Sequence, residues 1–295
     1  MIQKFHFDFV NHFKTMFIVS SIAFIISVLS LFVFGIKSSI DFTGGTIINV
    51  SVDSSIDLGD LRVVLEENLK QSINVVEVKS NEQSYVLLKM SYLSDEKIIN
   101  DLLETVYGSS YVINQIESIG PKLGDELKIN ARNAIIASLL LIAFYISIRF
   151  DGYYAIGSLF ALLHDVFITL GILIFMNMEI SISIIAALLT IVGYSLNDTI
   201  VIYDRIRENM SANPYRDKQK IFNKSLNQTL NRTLVTSLTT LIVVVVLYFY
   251  GGNVLQPFSI ALIIGVILGT YSSIFIASPV TLFLEEKYNI ETEED

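Results

Sequence analysis

The chain has 295 residues, of which 52% are hydrophobic and 17% are charged, and its formal net charge is -9. This composition, with a mean hydropathy of +0.58 and several apolar runs of about 20 residues, predicts a membrane protein rather than a soluble domain. The sequence contains no cysteine, which excludes disulfides and thiol chemistry, and its acidic balance gives no indication of a nucleic-acid partner.

Hydrophobic windows predict a polytopic α-helical membrane protein with six transmembrane helices. The windows lie near residues 16–36, 130–148, 153–176, 180–203, 233–250 and 257–284. The first window follows a short basic segment, as the apolar part of a signal sequence does. It is long enough to span a bilayer and has no clear cleavage site, so we interpret it as an uncleaved anchor.

The Lys and Arg residues in the short connections predict the orientation of these helices. Seven of them lie between the fourth and fifth windows, whereas the connections 177–179 and 251–256 contain none. The positive-inside rule therefore predicts that both termini are cytoplasmic. The predicted parts are a cytoplasmic N-terminus with the first transmembrane helix (1–36), an extracytoplasmic α+β domain (37–128), a five-helix transmembrane region (129–284) with a cytoplasmic loop (204–232), and an acidic cytoplasmic tail (285–295).

The segment after the first span has the pattern of a small α+β domain. Strands are predicted at 47–52, 75–78, 85–90 and 111–119, helices at 61–69 and 98–106, and a turn at 81–83. The order βαββαβ is typical of the ferredoxin-like fold. The segment has no catalytic constellation, so we predict a binding or structural module.

The predicted cytoplasmic loop is amphipathic beyond Pro214. Phe222, Leu226 and Leu230 fall on one helical face, which favours a helix lying at the membrane interface. A docking site for a cytoplasmic partner is the alternative interpretation.

The fourth span carries an ionisable residue, Asp198, inside its apolar run. A charge at that depth costs roughly 2.5–3.5 kcal/mol on insertion scales and is usually functional. Thr190, Tyr194 and Asn197 recur with Asp198 at helical spacing and predict a polar stripe on one face. Gly193 beside the stripe would let another helix approach closely.

Two other spans carry polar groups that could act with Asp198. Arg232 and Thr236 begin the fifth span, and Arg232 is predicted at about the depth of Asp198. A charged pair and a flanking cation that extends to the membrane surface are both open interpretations of Arg232. His164 and Asp165 lie in the middle of the third span, either lining a cavity or joining helices, with His164 predicted to point away from Asp165. Such groups fit an ion path, and the spacing leaves protons and Na⁺ open.

The pair Gly44 and Gly45 follows Asp41 just outside the first span. Glycine allows the chain to turn tightly as it enters the first strand. A rigid turn and a hinge that lets the domain rock are both compatible with the sequence.

Four motifs together resemble the SecD/SecF family of bacterial protein-export membrane proteins, which belongs to the RND superfamily. They are Asp41-Phe-Thr-Gly44-Gly45, Leu162-Leu-His164-Asp165-Val166, Gly193-Tyr-Ser-Leu-Asn197-Asp198, and Asn231-Arg232-Thr233. Six spans with one large loop after the first resemble SecF, the smaller member of the family.

The resemblance implies a non-enzymatic accessory subunit that uses the proton-motive force to assist protein translocation across the cytoplasmic (inner) membrane. It implies SecD as the other half of the transmembrane unit, with the SecYEG translocon, YajC and translocating preproteins as further partners. Asp198 and Arg232 fall on positions implicated in proton conduction, and we assign Asn197, Thr236 and Asp165 as supporting groups. We predict no cofactor and no metal site. The alternatives are half of an RND-type small-molecule exporter, which would carry two large external loops, and a proton-independent scaffold.

Overall fold

The computed structural model describes residues 6–52, 58–79, 84–93, 97–107, 111–213 and 216–293. The predicted turn at 81–83, Pro214 and the last two residues of the acidic tail lie outside these ranges. The chain divides into two compact units, Met1–Lys37 with Ala134–Asp295, and Ser38–Asn133.

The elements alternate between long apolar helices and one short α+β region. In chain order they are α1 (Phe9–Phe34), α2 (Ile40–Thr43), β1 (Gly45–Val52), α3 (Leu58–Leu69), β2 (Asn74–Lys79), β3 (Ser84–Met90), α4 (Lys97–Tyr107), β4 (Tyr111–Ile119), α5 (Pro121–Arg149), α6 (Gly152–Phe175), α7 (Ile182–Ala212), α8 (Lys218–Tyr250), α9 (Gly252–Ser272), a π-helical segment (Ser273–Ala277) and α10 (Ser278–Glu293). Within the described residues, six helices are long and apolar enough to cross a membrane, which confirms the predicted number of spans. The last of them joins α9, the π segment and α10.

Two helix ends differ from the sequence-based expectation. α7 continues to Ala212 and α8 begins at Lys218, so the predicted loop 204–232 is almost entirely helix. The separate interfacial helix predicted there is wrong, because Phe222 and Leu226 are buried in the bundle core. The predicted domain border at 128 also falls inside α5, which begins at Pro121, a residue whose fixed backbone angle suits a first helical position.

The helical unit is built around α6, α7 and the last span. These helices bury about half of their apolar windows, whereas α1, α5 and α8 leave most of theirs exposed. Glycines allow α7 and α9 to approach closely, since a Cβ on Gly265 would overlap with Ile191. Aromatic rings fill one end of the core, with Tyr203 packed edge-on against Tyr154 and Phe150.

A π-helical segment interrupts the last span. Over Ser273–Ala277 the helix widens, and the Ser278 hydroxyl donates a hydrogen bond to the Ser273 carbonyl at 2.9 Å. Such segments insert one residue into an α-helix and occur frequently at functional sites. Here the segment directly follows Ser272, which takes part in the polar networks described below.

The second unit has the predicted βαββαβ order. Its four strands form an antiparallel sheet in the order β2-β3-β1-β4. Ile48 and Val50 of β1 alternate toward the helices and are buried with Leu61, Leu65 and Leu88, as expected for a sheet with one covered face. The structure therefore confirms the ferredoxin-like α+β prediction.

Candidate functional site

Asp198 lies where α7, α8 and α9 meet. Its side chain is buried, with 2% of the residue surface exposed. The Ser237 hydroxyl of α8 lies 3.5 Å from Asp198 Oδ2, at the outer limit of a hydrogen bond. Ser237 is in turn 2.6 Å from the Thr270 hydroxyl of α9. The carboxylate thus ends a short chain of hydroxyl groups that crosses three helices.

Arg232 and Thr236 of α8 are other residues that the sequence predicts to act with Asp198. In the described part of the chain, no ion pair joins Asp198 to Arg232, whose residue is exposed on α8. The Thr236 hydroxyl donates to the Arg232 and Thr233 carbonyls of its own helix. Of the two interpretations left open by the sequence, the direct pair is not formed in the structure, and Arg232 is exposed as a flanking cation would be. An ionised carboxylate that is buried without a paired cation is costly.

Asp165 lies in a second buried network. Its Oδ2 accepts hydrogen bonds from Ser195 Oγ of α7 at 2.6 Å and from Ser272 Oγ of α9 at 2.7 Å. His164 Nδ1 lies 2.9 Å from Asp165 Oδ1, so the two side chains meet rather than point apart as predicted. The His164 ring also stacks on Tyr271, with centroids 6.2 Å apart. Both oxygens of Asp165 are thus satisfied from within the bundle.

The two carboxylates belong to different networks, and both networks join α7 to α9. Asp198 reaches α9 through Ser237 and Thr270, whereas Asp165 bonds directly to Ser195 and Ser272. A third contact, Thr199 Oγ1 to Ser273 Oγ at 2.9 Å, links α7 to the π-helical segment that follows α9. Sequence reasoning missed the α9 partners, although the polar run Thr270-Tyr-Ser-Ser273 inside an apolar span could have indicated them.

The stripe predicted on α7 divides between a buried and an open side. Asp198 faces the bundle, whereas Gly193 and Asn197 are exposed. A Cβ built on Gly193 would meet no atom of the described residues within 4 Å. No helix among the described residues packs against Gly193. The open side of α7 therefore exposes a small residue, Gly193, and the side-chain amide of Asn197. Such a surface is typical of helix–helix contacts in membranes.

The glycine pair after α2 is held in a close turn. Gly44 has a φ of +71° and Gly45 a φ of +152°, conformations that favour glycine. A Cβ on Gly44 would lie 2.9 Å from Pro121 Cα, and one on Gly45 would lie 2.8 Å from the Met90 carbonyl oxygen. Asp41 lies in α2, where its backbone N–H donates to Ser39 Oγ at 3.2 Å. These contacts favour the rigid turn over the hinge.

Comparisons with known proteins match almost the whole chain. The family model for the C-terminal part of the protein export membrane proteins SecD/SecF matches residues 98–287, and the SecD/SecF GG motif matches residues 29–56. The protein translocase subunit SecF of Calditerrivibrio nitroreducens is 38% identical over 280 residues, covering 92% of this chain and 91% of that protein. The same subunit of Petrotoga mobilis is 39% identical over 287 residues, covering 93% of this chain and 95% of that protein.

The fold also matches solved structures. The crystal structure of SecDF from Thermus thermophilus, a translocon-associated membrane protein, superposes with a TM-score of 0.86 at 35% identity. The match covers 97% of this chain and 40% of the SecDF chain. A super-membrane-facing form of SecDF superposes with a TM-score of 0.70 over 98% of this chain. The chain thus spans about two fifths of the length of the solved relative.

Proposed function

This chain belongs to the SecD/SecF family of protein-export membrane proteins, and we propose that it is the SecF-type accessory subunit of the bacterial Sec translocase. It is a multi-pass protein of the inner membrane, with both termini in the cytoplasm and the α+β unit outside. Together with SecD it uses the proton-motive force to assist protein translocation. The relatives are protein translocase subunits, and the role proposed for this chain is likewise in translocation rather than in catalysis.

The environment of Asp198 is the observation that supports the proposed use of the proton-motive force. A carboxyl group is buried at the junction of three helices, with one hydroxyl at the limit of hydrogen bonding. A small shift of α8 against α7 would make or break the Ser237 contact and change the distance to Arg232. Either change alters the relative cost of the protonated and ionised forms. Each charge that crosses the membrane releases about 2.3 kcal/mol per 100 mV, which is the energy available to such a shift.

The open side of α7 supports SecD as the immediate partner. Gly193 and Asn197 face away from the bundle of this chain, and Arg232 is exposed on α8. Small and polar residues are the usual contacts between membrane helices, whereas a lipid-facing surface would be apolar. SecD would therefore cover Gly193 and Asn197 and complete the surroundings of Arg232. The SecYEG translocon, YajC and the translocating preprotein are more distant partners that follow from the family role.

The exporter alternative is not favoured. Helix α8 ends at Tyr250 and α9 begins at Gly252, so these two spans are joined by a single residue. The described residues contain one α+β unit, between α1 and α5. An exporter half of the RND type would need a second large external domain at the connection between α8 and α9.

The test is Asp198→Asn, reconstituted with SecD and SecYEG in liposomes that carry either a proton or a Na⁺ gradient. We expect the gradient-stimulated part of preprotein translocation to be lost, along with ion flux, because amide nitrogen cannot bind and release a proton near neutral pH. Asp204→Asn is the matched control, because it removes another carboxylate from the same helix. The Asp204 carboxylate is half-exposed and pairs with Arg149 at the surface. Such pairs contribute little. Normal flux and normal stimulation in Asp198→Asn would contradict the proposed role of Asp198 and favour a scaffold. In the unsubstituted complex, stimulation by a Na⁺ gradient but not by a proton gradient would show that the ion is not a proton.

A further inference from the structure

A groove of about 890 Å³ lies at the end of the bundle where α1 and α8 begin. One wall is the segment that leads into α1, including Asp8. The other wall is the start of α8 and the residues before it, including Arg216, Lys220 and Lys224. The groove is distant in sequence from Asp198 and takes no part in the networks described above.

The first wall is fixed to the second by side-chain hydrogen bonds. Asn227 Nδ2 donates to the Phe7 carbonyl and Asn227 Oδ1 accepts from the Phe7 N–H, both at 2.8 Å. One turn earlier on α8, Asn223 Oδ1 accepts from the Phe9 N–H at 2.8 Å. Two amide side chains at i and i+4 thus hold the backbone of the N-terminal segment along α8. The groove is therefore a defined feature of the fold.

The acidic residues of the groove are already engaged. Asp8 accepts from the Asn11 N–H at 3.4 Å and caps α1, and Asp217 accepts from the Gln219 N–H at 2.9 Å and caps α8. Asp217 also lies 3.9 Å from Lys220 Nζ.

The basic side chains of the groove are mostly without a salt-bridge partner among the described residues. Arg216 and Lys224 form no ion pair within the described ranges, and Lys220 is paired only at the distance limit. Three cations therefore face the groove against two carboxylates that are held as helix caps, which leaves an excess of one positive charge.

We propose that this groove binds the phosphate of an anionic phospholipid headgroup. The position fits, because Asn11 lines the groove and lies roughly 9 Å along α1 from Phe17, an exposed apolar residue of that span. The headgroup layer is roughly 5–7 Å deep on each side of the hydrocarbon core, so the groove lies at the outer edge of this layer. Basic side chains at that level attract anionic lipids. A bound headgroup would rest against the same helix, α8, that carries Arg232, and would hold the N-terminal segment and α8 together.

The experiment measures lipid retention by the intact chain. The purified protein is exchanged into nanodiscs of phosphatidylcholine with or without phosphatidylglycerol, and bound lipid is identified by native mass spectrometry. In the double variant Arg216→Gln/Lys224→Gln we expect retention of phosphatidylglycerol to fall roughly 10- to 30-fold, from about 1 kcal/mol for each basic residue near an anionic surface. Both side chains are at least partly exposed, so the fold should be unaffected.

The matched control is Lys122→Gln/Lys128→Gln, which removes the same charge from exposed positions on α5 and should leave retention unchanged. The conservative double variant Arg216→Lys/Lys224→Arg should restore it. Inorganic phosphate is added in a separate arm. Equal losses in the groove and control variants would overturn the proposal, since net charge alone would then explain binding. Displacement of the lipid by millimolar inorganic phosphate would also overturn it, because the ligand would then be a soluble phosphate.

Discussion

Replacing Gly193 by leucine tests whether the open side of α7 meets SecD. In the isolated chain a Cβ at this position meets no described atom within 4 Å, so no clash is expected. Leucine is the better helix former by up to about 1 kcal/mol, so the subunit alone should be unchanged or slightly more stable. In the complex, a bulky side chain in a small-residue contact should cost about 1–3 kcal/mol. That cost corresponds to a loss of about 5- to 150-fold in affinity for SecD.

The assay separates the two effects. Thermal unfolding in detergent measures the stability of the isolated subunit, and co-purification with tagged SecD measures assembly. Gly265→Ala is the contrasting variant, because its new Cβ would overlap with Ile191 inside the bundle and should lower stability before SecD is added. Normal assembly of the Gly193→Leu variant with SecD would refute the reasoning and would mean that this side of α7 faces lipid.

Two further predictions concern residues outside the spans or at their edge. Burial, and secondarily the carboxylate of Asp41, raise the pKa of Glu117 above its ordinary value of 4.5, so the folded chain holds this proton more tightly than the unfolded chain and loses stability as pH rises above 4.5. Glu117→Gln should therefore raise the thermal midpoint near neutral pH and have little effect well below pH 4.5, and an equal shift at both would contradict this. Gly44→Ala should destabilise the chain more than Gly35→Ala in thermal unfolding. Both residues have positive φ, which costs an alanine about 1–2 kcal/mol, but only the new Cβ at Gly44 would also press on Pro121. Equal midpoints, with slowed export in Gly44→Ala alone, would instead indicate a hinge.

The spans and the α+β unit were predictable from the sequence because each depends on a one-dimensional pattern. A span needs a long apolar run whatever its neighbours are, and the strand of Ile48 and Val50 shows its buried face by alternation. The extension of α7 and α8 beyond the membrane was not predictable in the same way. Phe222 and Leu226 form an apolar face that suits either a lipid surface or a protein core, and only packing decides between them.

The site was predictable in composition but not in pairing. Helical rise gives the depth of Asp198 and of Arg232, and it predicts that they lie at a similar level. It says nothing of the rotation of one helix relative to another, and in the structure Ser237 rather than Arg232 contacts the carboxylate. The separation of Asp165 into its own network has the same cause, because Ser272 reaches it from a helix far along the chain.

Because of the π-helical segment, the number of residues in the last span cannot change by even one without disturbing its contacts. An inserted residue turns everything after it by about 100° around the helix axis. Before the segment, Ser272 bonds to Asp165. After it, Thr281 bonds to Tyr203 at 2.7 Å and Glu285 lies 3.6 Å from Lys218. Hydropathy would tolerate the deletion of one residue between Ser272 and Thr281, but the two ends of the span would then face incompatible directions. The segment thus rotates the second half of the span relative to the first, so that Ser272 can reach Asp165 while Thr281 reaches Tyr203.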